Sequence, residues 1–205
     1  GKGDRLRLGP TADIPWLKRQ TRLTFARTGI VDPLSLDDYR AQGGLTGIEK
    51  ALSLGREAAL AEVEASGLRG RGGAGFPTGR KWRTVADAKA PRKYIVCNAD
   101  EGDSGTFADR MILEGDPFVL IEGMAIAGFA TGADKGFVYV RSEYPHAIGT
   151  FAAALETARA AGLIGRSVAG SGFAFNVELR VGAGAYVCGE ETALLESLEG
   201  RRGQV

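Results

Sequence analysis

Apolar positions in this chain follow two periods. Spacing by three and four marks helices, and short continuous or alternating apolar runs mark strands. Ser35 is read as the cap of a helix through Asp38, Tyr39 and Ala41, stopping at Gly43-Gly44. Thr46 is predicted to cap a second helix ending near Gly55, and Glu57 to Ser66 forms a third, closed by Gly67. Thr78 is predicted to cap a helix through Trp82, Val85 and Ala86. Lys93 to Cys97 (KYIVC) then reads as a buried strand. Asp116-Pro117 opens a long helix to about Thr131, with aspartate as cap and proline at the first helical position. Gly136 to Val140 is a second strand, Tyr144-Pro145 opens a helix ending at Gly162, and Phe173 to Val181 is a third strand. Glu190 to Leu198 is a last helix stopped by Gly200. Strands that alternate with helices predict an α/β fold, a Rossmann-like parallel sheet with flanking helices. Residues 1–35, punctuated by Gly9, Pro10, Gly29 and Pro33, read as an N-terminal arm or linker, and residues 36–205 as the domain.

Composition changes this picture in one respect. The chain holds 31 glycines in 205 residues, about twice the ordinary share of roughly 7%. No every-third-residue period exists, so collagen is excluded, and 44% hydrophobic residues with a net charge of +1 exclude generic disorder. That charge gives no reason to expect nucleic acid, and no apolar run reaches the roughly 20 residues of a membrane span. Residues 1–30 lack the apolar centre of a signal peptide. Cys97 and Cys188 form no CxxC pair and are read as small buried residues of a reducing compartment, with a disulfide or a metal role as the alternatives. The only histidine, His146, is read as a surface residue at a helix start, so metal hydrolysis and Ser-His or Cys-His catalysis lack support.

Six of the glycines lie in residues 67–79, GLRGRGGAGFPTG. Ordering so much glycine costs backbone entropy, which makes sense where the chain must approach a ligand closely. Gly70-x-Gly72-x-x-Gly75 matches a dinucleotide fingerprint but follows a helix rather than a strand, and the Walker spacing fails. A different glycine-rich cradle for a phosphate or flat ring remains. Residues 69–93 carry eight basic groups against Asp87, and residues 100–122 carry seven acids against Arg110. These blocks are either two mutually neutralising solvated faces or a basic cradle beside acidic groups that accept from hydroxyls. Asn98-Ala-Asp100-Glu101-Gly-Asp103 leaves the first strand where open α/β sheets bind ligands, though a turn cluster would look alike. Gly182 to Thr192 leaves the third strand in the same way, and its paired glutamates also suit a helix dipole.

Together the stretches LRGRGGAGFPTGRKW (68–82), VCNADEGDSGTFADR (96–110) and GAGAYVCGEETALLESLEG (182–200) resemble one family. It is the FMN-binding flavoprotein that exchanges electrons with NADH in respiratory complex I, in NAD-reducing hydrogenases (the diaphorase) and in NAD-dependent formate dehydrogenases (the beta subunit). Residues 14–39 and 103–111 look most like the formate dehydrogenase beta subunit, then the diaphorase, then complex I, where proline more often stands at the position of Ser104. The resemblance implies FMN held by Gly70, Gly72, Lys81, Asn98, Asp100, Glu101, Tyr186, Gly189 and Glu190. It implies NADH held by Phe76 stacking on adenine, with Asp103 and Glu191. Family members often carry a second aromatic where this chain has Thr84, so adenine stacking is expected to be weaker or differently built.

Hydride transfer between nicotinamide and flavin needs stacked rings and excluded water, so no catalytic side chain and no metal ligand is expected here. The family continues into a second flavin segment, a small β domain and a helical bundle with a 4Fe–4S cluster. The chain is therefore expected to be a C-terminally truncated fragment, with the cluster only in the part that follows. Expected partners are a thioredoxin-like 2Fe–2S subunit or domain and a catalytic iron–sulfur subunit, in the cytoplasm or peripheral on the cytoplasmic face of the membrane, without membrane insertion. A non-redox nucleotide-binding module and a docking scaffold are the competing classes.

Overall fold

The computed structural model describes residues 9–205. Its centre is a sheet of three parallel strands in the order β1 (Tyr94–Ala99), β2 (Lys135–Arg141), β3 (Asn176–Gly182). Val96 lies opposite Phe137, and Phe137 opposite Glu178. Alternation then divides the faces. Ile95, Cys97, Val138, Val140 and Val177 enter the main core, where they meet Phe118, Ile121, Phe151 and Leu155. The helices that supply these partners are α7 (Pro117–Thr131) and α8 (Pro145–Ala160), the two long crossovers between strands. On the other face Tyr139 packs with Cys188 and with Leu194 and Leu198 of the last helix, α9 (Glu191–Leu198), and its hydroxyl meets Ser197 Oγ at 2.9 Å.

The helices before the sheet are α1 (Pro15–Lys18), α2 (Leu36–Ala41), α3 (Thr46–Leu54), α4 (Arg56–Ala65) and α5 (Thr78–Asp87). Ser35 caps α2 as expected, accepting from Asp38 N at 3.1 Å. Three other expected caps are replaced. Leu45, at φ 69°, precedes α3, and Thr46 instead donates its hydroxyl to Gly43 O. Pro77 precedes α5, and Thr78 uses its backbone N–H on Leu68 O. Asp116 stands before α7, but its carboxylate takes Arg27 Nε at 2.8 Å rather than a helix N–H. Arg27 also lies over the Tyr39 ring, so this part of the N-terminal segment packs on the helices.

The third strand begins at Asn176, not Phe173. Phe175 is fully buried and pairs with Gly165, while Phe173 packs edge-on against Phe129. The first strand runs two residues beyond Cys97. A further helix, α6 (Ala108–Gly115), occupies the acidic stretch where none was expected. His146 is exposed at the start of α8, and both cysteines are free thiols. Burial first, and then Asp109, push the Cys97 thiol up to about 12. No helix among the described residues is long and apolar enough to cross a membrane, and no cluster of metal-ligating side chains occurs among them.

Candidate functional site

All three strands are parallel, so their carboxyl ends open on one side, and the loops there line an open cavity of about 940 Å³. Three segments line it: Arg71 to Gly73, Asn98 to Asp109, and Tyr186 to Glu190. Eight of the twelve sequence-predicted residues are brought together here: Gly72, Asn98, Asp100, Glu101, Asp103, Tyr186, Gly189 and Glu190. Gly70, Phe76, Lys81 and Glu191 do not line the cavity. Gly70 N–H donates to Phe76 O, which closes the glycine loop as a hairpin. Phe76 is exposed with Arg80 over its ring, and Lys81 Nζ reaches Glu191 Oε2 at 3.3 Å.

The polar groups tie the loops to one another before any ligand is considered. Asn98 Nδ2 donates to Gly189 O at 2.8 Å, and Tyr186 O–H donates to Asp103 Oδ1 at 2.7 Å. Glu101 accepts from the first three N–H groups of α6, those of Ala108, Asp109 and Arg110. Glu190 does the same for α9, accepting from Thr192 N at 2.9 Å and Ala193 N at 3.0 Å. These backbone bonds hold the Glu190 carboxyl below its usual range. Both glutamates therefore act as helix caps as well as cavity wall.

Asp100 differs. It is 6% exposed, and its Oδ2 is buried with no hydrogen-bond partner among the described residues. Burial raises its pKa, against the opposing charge of Arg141. Asp109, at the start of α6, is pushed up to about 6 by burial and by the charge of Glu101. Glycine makes the wall possible at Gly102, where a Cβ would lie 2.6 Å from the Tyr186 ring and 2.9 Å from Arg141 Nη1. Gly79 has a different reason, since its Cβ would strike the backbone of Glu64 where α4 and α5 touch. Part of the glycine excess thus serves helix packing.

The charge blocks resolve into neither simple picture. Arg83 grips Glu57 and Glu64 of α4, Lys93 donates to the carbonyls of Ala86 and Thr131, and Arg110 pairs with Glu114 inside the acidic block. Of the eight basic groups only Arg71 lines the cavity, against the carboxylates of residues 100, 101, 103, 109 and 190. Sequence reasoning missed Arg71, Gly102, Thr106 and Asp109, and also Arg141 behind the wall. Arg141 ends β2, so the strand-end rule applied to β1 and β3 would have found it.

The sequence model of the Nuo51 FMN-binding domain matches residues 63–205. The chain belongs to this family. Within the Nuo51 FMN-binding family, it is 53% identical over 187 residues to the NADP-reducing hydrogenase subunit HndC of Solidesulfovibrio fructosivorans, covering 91% of this chain and 38% of that protein. It is 50% identical to an NADH-quinone oxidoreductase subunit of Aquifex aeolicus, covering 93% of this chain and 45% of that protein. The chain thus spans less than half the length of these curated relatives. Among solved structures it resembles an NAD+-reducing [NiFe]-hydrogenase in its H2-reduced state, with TM-score 0.72 and 37% identity, covering 90% of this chain and 29% of that one.

Proposed function

We propose that this chain is the FMN-binding part of an NAD(H):acceptor oxidoreductase module, with its flavin seated in the cavity at the strand ends. The observation that carries the reading is the buried, unpartnered Oδ2 of Asp100. Asp100 lines a cavity large enough for a tricyclic ring and bounded by Gly72, Gly102 and Gly189. An acceptor of that kind suits the hydroxyls of a ribityl chain. FMN, when bound, would supply the hydride chemistry, accepting from NADH or returning to NAD. The protein's part is binding and orientation. Gly72, Gly189 and Tyr186 would shape the wall, Asn98 and Asp100 would meet the hydroxyls, and Glu101 and Glu190 would hold the two wall helices in place.

Four residues outside the cavity complete the proposal. Gly70 would tighten the glycine loop, and Lys81 would contribute positive charge toward the FMN phosphate. Phe76 and Glu191, both exposed, would contact the dinucleotide, with Asp103. In this reading residues 36–205 are the partial FMN/NADH-binding domain and residues 1–35 its connector.

Onward electrons would pass to a 4Fe–4S cluster held by a following part of the protein. From there they would reach a 2Fe–2S thioredoxin-like subunit or domain and a catalytic iron–sulfur subunit. The assembly would lie in the cytoplasm or on the cytoplasmic face of the membrane. Residues 14–39 and 103–111 support the formate dehydrogenase beta subunit as the parent. Identity to the hydrogenase subunit HndC favours a hydrogenase diaphorase as the second reading.

Reconstitution of the full-length protein with FMN, followed by its absorption spectrum and bleaching by NADH, tests the function. Bound flavin that NADH bleaches is the expected result; no flavin binding would sink it. Co-purification with formate- or hydrogen-oxidising activity then separates the two parents.

A further inference from the structure

Arg141 is the polar group that neither the flavin reading nor the core absorbs. It is the last residue of β2, and its side chain is 12% exposed. Its Nη2 donates to Glu143 Oε1 at 2.6 Å, while Nη1 is buried and has no partner among the described residues. The two ends of this ion pair touch the two loops of the cavity. On one side Nη1 lies 2.9 Å from the point where Gly102 would carry a Cβ, a point that the Tyr186 ring also approaches to 2.6 Å. On the other side Glu143 Oε1 lies 3.1 Å from the same point on Gly184, which has φ +85°. Next to the pair, Tyr144 donates its hydroxyl to Glu101 O. The end of the middle strand and the turn after it therefore send two side chains, Arg141 and Tyr144, toward the loop after β1 and one, Glu143, toward the loop after β3.

We propose that Arg141, braced by Glu143, is the positioning residue of the cavity: it sets the spacing of the loops after β1 and β3 and is the fixed counter-charge of Asp100. This rests on the reading that the cavity holds FMN. A guanidinium suits the task because its planar fork can hold Glu143 with one nitrogen while another faces the 100–102 turn. Its charge favours the ionised form of Asp100, which burial disfavours. An ionised Asp100 accepts hydrogen bonds with both oxygens, and a protonated one does not. Arg141 thus holds the turn at Gly102 that follows Asp100 and favours the form of the Asp100 carboxyl that accepts.

The test is FMN affinity of the full chain, read by quenching of FMN fluorescence from pH 8 down to the lowest pH at which the protein stays folded. The variants are Arg141→Met, Arg141→Lys and Asp100→Asn. The charged groups facing Asp100 are Arg141 and Glu143, with the Tyr139 hydroxyl on the same strand. Asp109, pushed up to about 6, and the FMN phosphate titrate as well, so the quantity read is the difference between variants.

Arg141→Met is expected to weaken FMN binding at least tenfold and to move the acid midpoint of binding to higher pH. Arg141→Lys restores the midpoint because the charge is kept, but only part of the affinity because the fork is lost. In the Asp100→Asn background, Arg141→Met no longer shifts the midpoint. A residue that merely stabilised the fold would lower the thermal midpoint and leave the pH dependence in place. Unchanged affinity and midpoint in Arg141→Met overturn the proposal while the flavin reading stands. Failure of the unsubstituted protein to bind FMN overturns both. Should Arg141→Met not fold, the lysine variant decides alone, since an unaltered affinity there would deny the fork its role.

Discussion

Glu122 in α7 and Asp100 at the end of β1 are each 6% exposed, yet the protein treats them in opposite ways. Glu122 is saturated: it accepts from Leu45 N and Ile48 N at 2.9 Å each, and from the Tyr39 hydroxyl. Those bonds satisfy the left-handed turn at Leu45 and join α2 and α3 to α7. Burial and the Glu122 carboxylate together push the Tyr39 hydroxyl far above its usual range. Asp100 keeps one oxygen without a protein partner, at the wall of a large cavity. A buried carboxylate whose acceptors are all used belongs to the fold. One left open beside a cavity is available to a ligand.

Breaking the first half of the comparison has the largest expected effect. Glu122→Ala leaves two backbone donors and a hydroxyl unsatisfied and is expected to cost about 3–5 kcal/mol, measured by denaturant unfolding. A loss below about 1 kcal/mol would mean that Glu122 is not the tie between these helices. Gly102→Ala sharpens the other half. The added methyl collides with Tyr186 and Arg141, so FMN affinity is expected to fall tenfold or more, about 1.4 kcal/mol, with smaller change in unfolding free energy. Equal FMN affinity in fluorescence titration would remove Tyr186 from the flavin wall.

Asp109 lies between the two cases. Its folded pKa, about 6, is raised from 3.8, so the folded state binds the proton more tightly than the unfolded chain. The associated stability is present below pH 4, is lost as pH rises from 4 to 6, and is flat above 6. Asp109→Asn is expected to remove that slope and to stabilise the protein above pH 6 by on the order of 1–2 kcal/mol. Unfolding midpoints across pH 4–8 check this, and a slope unchanged in the variant would refute it. The smallest stability effect is expected at the exposed Lys81–Glu191 pair. Glu191→Ala should leave the thermal midpoint and FMN binding unchanged while weakening NADH binding, measured by titration of the flavin-loaded protein. Phe76→Ala should behave in the same way. Flavin loss in either variant would count against the dinucleotide role.

The alternation of apolar strands and helices was legible because each strand carries a run the core requires, such as Phe137 to Val140. The caps were legible only where the side chain had no better partner. Ser35 has none and caps α2; Asp116 is taken by Arg27, 89 positions away in sequence. The helix α6 was hidden because its signal is not local. Its N-terminal donors are satisfied by Glu101, seven residues earlier, and an acidic stretch beginning in a left-handed Phe107 carries no ordinary start signal. Eight of the twelve expected residues line one cavity because they leave strand ends or sit in the glycine loop, both of which local pattern reveals. Arg71 and Asp109 also line it but were not expected there, since a charged residue in a charged stretch looks solvated until its neighbours are placed.

Local pattern alone determined the α/β order, the position of the glycine loop and the two segments that leave the outer strands. Those follow from hydrophobic periodicity and backbone freedom, which act over a few residues. Only the tertiary structure decided which carboxylate is filled and which is open. It also decided which glycine serves helix packing and which serves the wall, and that Arg141 stands between the loops of Gly102 and Gly184, which are distant in sequence. These depend on desolvation and on contact between segments distant in the chain, and neither quantity exists until the chain has folded.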